Sequence, residues 1–101
     1  MANMMKMIQQ AAAAQKQMQK VQEELTQRTV EFSSGGGMVT ATARGDGSLV
    51  KIKIAPKVVD PADVELLEDL VTSAVDGALK AAKDLAMQEM QKVTAGLGLP
   101  F

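Results

Sequence analysis

The sequence has no cysteine, histidine, tryptophan or tyrosine in 101 residues, and only two phenylalanines, Phe32 and Phe101. Without Cys and His it has no disulfide, no thiolate nucleophile, no zinc site of the usual ligand types and no side chain that titrates near neutral pH. The shortage of aromatic rings disfavours the stacking by which single-stranded nucleic acid is usually held. No stretch approaches the roughly 20 apolar residues that cross a bilayer, and none has the layout of a signal peptide. A soluble, cytoplasmic chain without membrane association is therefore expected. Carboxylate pairs such as Glu23/Glu24 and Glu68/Asp69 are helix neighbours that point in different directions, so neither is a site by itself. With no nucleophile–base constellation either, no enzyme, cofactor, metal or small-molecule substrate is expected.

What is present is aliphatic, charged and periodic. The length suits one domain, 1–101, whose core has to be built from Val, Leu, Ile, Met and Ala. The eight methionines pack adaptably, and a partner subunit is a common source of stability for a scaffold this small. The net charge of −1 conceals an asymmetry: residues 1–57 carry eight Lys/Arg against four acids, and residues 58–101 carry three against eight.

Three periodicities follow one another. Residues 1–27 contain no Gly or Pro, and Met4, Met7, Ala11, Ala14, Met18, Val21 and Leu25 step by three and four. This heptad pattern predicts a long amphipathic helix with one packed seam. From 28 to 55 the period becomes two, broken at Gly35-Gly36-Gly37 and Gly45-Asp46-Gly47, which predicts three antiparallel strands. One face of that sheet is apolar (Val39, Ala41, Ala43, Val50, Ile52, Ile54), and the other is polar and partly basic (Thr40, Thr42, Arg44, Lys51, Lys53). A second helix is expected over 60–94, with Asp60 as its N-cap and Pro61 at its first position. Its seam runs through Leu67, Val71, Ala74 and Ala78, expected in the core or at a dimer interface. Residues 95–101 read as a flexible tail. The fold class is α+β.

The triple glycine lacks the Lys-Ser/Thr of a phosphate loop and leads into a strand, so a turn accounts for it. The basic residues are the candidate site: Lys6, Lys16, Lys20 and Arg28 in the first half, then Lys80, Lys83 and Lys92 on the second helix. Lys16 and Lys20 are one i,i+4 step apart and share a face. Such a line of cations suits the phosphates of duplex DNA. Charge spacing alone leaves the alternative open that these lysines are a solvated surface, because a pI near 5.3 lacks the usual basic footprint. A prefoldin-like or adaptor module that binds protein rather than DNA also places strands between amphipathic helices.

The order of segments resembles the YbaB/EbfC family over almost the whole chain. The likeness is carried by Gln15-Lys16-Gln17-Met18-Gln19-Lys20-Val21-Gln22-Glu23-Glu24-Leu25, Gly35-Gly36-Gly37-Met38-Val39 and Val50-Lys51-Ile52-Lys53-Ile54-Ala55-Pro56. Leu67-Glu68-Asp69-Leu70-Val71 with Ala74, Ala78 and Leu79, and the ending Val93-Thr94-Ala95-Gly96-Leu97-Gly98-Leu99-Pro100, complete it. Asp76-Gly77 and Ala55 are small departures from the family's pattern. The resemblance implies a tweezer-like homodimer whose sheets and second helices form the body. It also implies arms that meet double-stranded DNA, and a bacterial nucleoid-associated role with weak or no sequence preference.

Overall fold

The chain is described from a computed structural model, which places residues 2–96. Helix α1 spans Ala2–Leu25, strands β1, β2 and β3 span Thr29–Ser34, Val39–Arg44 and Leu49–Ile54, and helix α2 spans Val64–Gly96. A short 3-10 turn at Pro56–Val58 connects β3 to the approach of α2. The expected order of long helix, three-stranded antiparallel sheet and long helix is what the molecule shows.

Strong helix formers and the absence of Gly and Pro carry α1 to Leu25. It ends two residues before the expected boundary. Gln27 and Arg28 both donate their N–H groups to the Glu24 carbonyl, and the chain then enters β1. The sheet is an antiparallel meander in the order β1-β2-β3. Ser34 pairs with Val39 across the first turn, where Gly35, Gly36 and Gly37 take φ of 60°, 65° and 93°. The N–H groups of Gly37 and Met38 both donate to the Ser34 carbonyl and close the turn.

The register of β3 departs from strict alternation. Thr42 faces Lys51 but Ala43 faces Leu49, so Leu49 and Val50 oppose a single residue of β2 in a bulge. Leu49, rather than the expected Val50, thus stands opposite Ala43.

The start of α2 also differs from expectation. Asp60 and Pro61 lie in a turn ahead of the helix, where the Asp60 carboxylate accepts the Ala62 N–H at 2.9 Å. Asp63 is the N-cap instead, accepting the Leu66 N–H at 3.2 Å. At the other end the helix continues through Ala95 and Gly96, the first two residues of the expected tail; residues 97–101 lie outside the described residues.

The core sits between α2 and one sheet face. Val39, Ala41 and Ala43 are fully buried beneath Ala74, Ala78 and Ala82, one helical turn apart on α2. Leu67 and Val71 are half-buried against this cluster. Small side chains on both surfaces let helix and sheet approach closely, but a buried Ala contributes less than the roughly 1.5–3 kcal/mol of a buried Val or Leu. The core is thin. At its edge the buried Ser34 hydroxyl donates to the Leu70 carbonyl at 2.6 Å, pinning the end of β1 to α2.

A second, smaller cluster joins the two helices: Val21, Leu25 and Val93, with Leu85, Ala86 and Met90 packed around them. This packing places α1 antiparallel to the C-terminal part of α2. It uses only the last two positions of the predicted seam. Ala14 is half-buried, and Met4, Met7, Ala11 and Met18 are exposed, so most of that seam is not packed within the chain. On the N-terminal side of Val21, α1 projects from the body, and the molecule measures 74 × 21 × 16 Å. Its radius of gyration of 19.7 Å compares with about 13 Å for a compact chain of this length.

Candidate nucleic-acid interface

The projecting arm is the most one-sided part of the molecule in charge. Between Ala2 and Gln22 it carries Lys6, Lys16 and Lys20 and no acid at all; the first carboxylate is Glu23. At 1.5 Å per residue these three lysines spread over about 21 Å of helix, with Lys16 and Lys20 about 6 Å apart on one face. Both border a shallow groove that includes Ala13, Gln17, Gln19 and Glu23. Because Val21 and Leu25 turn inward onto α2, the helical phase sends Lys16 and Lys20 away from the body. Among the described residues neither they nor Lys6 makes an ion pair.

The remaining candidates are placed differently. The Arg28 guanidinium lies 2.9 Å from Glu89 Oε1, and the Lys92 ammonium reaches the same oxygen at 3.1 Å. The Lys92 and Arg28 hydrogen bonds hold the Glu89 carboxyl below the ordinary glutamate range. Lys80 pairs with Asp76 at 3.1 Å along α2. Lys83 is exposed without an ion pair among the described residues. The seven cations therefore do not form one cluster. Three stand on the arm, Lys80 and Lys83 lie in the middle of α2, and Arg28 and Lys92 meet at the joint between the arm and α2.

Glu89 is the residue that sequence reasoning misses. Its spacing from Lys92 is the i,i+3 signal that marks one of its bonds; the bond from Arg28 comes from a distant part of the chain and has no local signature. The open sheet face adds Arg44, Lys51 and Lys53, all exposed and on the side away from α2. At the turn between β2 and β3, Asp46 accepts hydrogen bonds from the Ser48 hydroxyl (2.6 Å) and N–H (2.9 Å), which hold its carboxyl below the ordinary aspartate range.

Among the described residues no group of three or more carboxylates is placed to hold a metal ion, and no helix is long and apolar enough to cross a membrane. The described residues offer extended charged surfaces.

Comparison with known proteins bears on what those surfaces meet. The model of the YbaB/EbfC DNA-binding family matches residues 1–97. A nucleoid-associated protein of Thermoanaerobacter pseudethanolicus is 52% identical over 98 residues, covering 97% of this chain and 88% of its own. A nucleoid-associated protein of Moorella thermoacetica is 49% identical over 100 residues, covering 99% and 96%. The fold is also that of an uncharacterized protein of Helicobacter pylori seen in a crystal structure, with a TM-score of 0.68 at 24% identity over 77% of this chain and 82% of that one.

Proposed function

The chain belongs to the YbaB/EbfC DNA-binding family, and from that premise we propose that it acts as a non-catalytic homodimer on the duplex DNA of a bacterial nucleoid. It neutralises backbone phosphates with weak or no sequence preference. The observation that carries this reading is the acid-free arm. Lys6, Lys16 and Lys20 project past the body with no carboxylate between them, so a phosphate backbone can approach although the whole chain is net negative. Lys83 adds an unpaired cation. Arg28, Lys80 and Lys92 join by exchanging their ion pairs with Glu89 and Asp76 for phosphate.

The dimer is supported by what α2 leaves uncovered. The helix lies over β1 and β2, while Ile52 and Ile54 share the apolar sheet face and remain 37% exposed beside Leu49 and Val50. Val64, Leu66 and Leu79 are further exposed apolar side chains on α2. A second copy placed against β3 and α2 would bury this surface and thicken a core made largely of alanine.

The test is equilibrium binding to a labelled duplex of about 30 base pairs over a series of salt concentrations, with scrambled duplex as competitor. Affinity is expected to fall steeply with salt and to change little with sequence. Lys16→Ala with Lys20→Ala is expected to weaken binding to all sequences alike and to flatten the salt slope by about one unit for each phosphate left without its lysine. Unchanged affinity and slope in that variant would remove the arm from the interface.

A further inference from the structure

We propose that the open face of the sheet is a second phosphate-binding surface, which lets one protein already seated on DNA through its arm hold a second duplex. The inference rests on the DNA-binding reading above and concerns a part of the molecule which that reading does not use. Register fixes the composition of the face. Glu31, Thr42 and Lys51 form one row across the three strands, and Ser33, Thr40 and Lys53 form the next. Arg44 lies beyond Thr42 on the central strand, opposite Thr29.

The core and α2 lie on the other side of the sheet, so these side chains face outward. A sheet face left merely to water needs polar residues of no particular sign. Here Arg44, Lys51 and Lys53 are opposed on the strands only by Glu31, two strands away from Lys51 at about 10 Å, and at the edge by Asp46 in the adjoining turn, whose carboxyl feels the charge of Arg44. Among the described residues none of the three cations is tied up in an ion pair. Lys51 stands about 7 Å from Lys53 along β3 and about 8 Å from Arg44 across the strands, with Arg44 and Lys53 about 14 Å apart, and all three sit on hydrogen-bonded strands, so phosphate binding would cost little backbone ordering. The Thr42 hydroxyl lies between Lys51 and Arg44 as a further donor, whereas those of Ser33 and Thr40 bond each other at 2.7 Å. The acids of α2, from Glu65 to Asp69, belong to the opposite layer and do not offset this patch. Its charge complements duplex DNA and is separate from that of the arm.

A capture experiment tests the assignment. A biotinylated duplex of about 30 base pairs is immobilised, loaded with the protein at low salt, washed, and then offered a fluorescent second duplex. The wild type is expected to retain the second duplex. The triple variant Arg44→Gln, Lys51→Gln, Lys53→Gln is expected to load onto the first duplex to within about twofold and to retain about tenfold less of the second. Glu31→Gln, which removes the opposing charge carried by the strands, is expected to retain more than the wild type and does not depend on the triple variant's folding. Equal retention by wild type and triple variant, or normal loading with no retention by the wild type, would overturn the proposal. Failure of the wild type to load at all would instead overturn the DNA-binding reading, and this proposal with it.

Discussion

At Gly77 the local and the tertiary demands on one residue have opposite signs. A glycine in the middle of a helix costs about 1 kcal/mol relative to alanine, and α2 carries it well inside its length. The reason is Phe32, whose ring rests so closely on the Gly77 backbone that a Cβ there would overlap its Cδ1–Cε1 edge. Gly77→Ala is therefore expected to destabilise the protein by about 1–2 kcal/mol in thermal denaturation, where helix propensity alone would stabilise it. Adding Phe32→Leu should recover most of that stability, and a higher Tm for Gly77→Ala alone would refute the close approach. Nothing near Gly77 in the sequence hints at this ring, because the partner is on β1. Gly45 repeats the theme beneath Leu25, where an added Cβ would stand 2.7 Å from Leu25 Cδ2 and 3.0 Å from its carbonyl oxygen.

Among the elements, the joint between the end of α1 and the last third of α2 is held by few groups, and Glu89 is central to it. It accepts hydrogen bonds from Lys92 and Arg28, which depress its pKa in the folded state. The stability contributed by a depressed carboxylate is full above the unfolded-state pKa, near 4.5 here, and is lost as pH falls through the lower folded-state value. Glu89→Gln should accordingly make the acid unfolding limb shallower below pH 4.5. The same substitution releases two cations, so at neutral pH it is expected to bind duplex DNA more tightly and with a steeper salt slope. Weaker binding would mean that Arg28 and Lys92 face DNA only when the joint is intact.

The elements themselves are legible in the sequence wherever periodicity is local: the heptad of α1, the alternation of β2 and the two glycine turns. What misleads is competition between neighbours. Asp60-Pro61 and Asp63 are both valid helix openings, and the structure closes a turn with the first and caps α2 with the second. The heptad of α1 shows that a face is apolar but not what covers it, and α2 meets only Val21 and Leu25. The arm lysines can be read as cations, but that they make no ion pair among the described residues depends on which acids the fold brings near. That is why Arg28 and Lys92 differ from Lys16 and Lys20.

At the scale of the whole molecule, an elongated body with a thin core and an uncovered β3 face calls for a second copy. Sedimentation equilibrium is expected to give twice the 10.7 kDa chain mass, and the Tm to rise with protein concentration. Ile52→Lys with Ile54→Lys should return the species to the single-chain mass or lower the Tm at every concentration. A concentration-independent Tm for the wild type, at the mass of one chain, would place the interface elsewhere. The arm has a different consequence. Residues 3–13 are exposed along their length, and a lone helix of about 12–15 residues is marginal in water. The exposed end of α1 is therefore expected to fray and re-form on the submicrosecond timescale of isolated helices, before the sheet opens. On the proposed reading, a phosphate backbone would meet a segment whose helix is in place only part of the time. Each encounter would then have to complete the last turns before all its lysines engage, and grip on DNA would tighten progressively from Lys20 outward to Lys6.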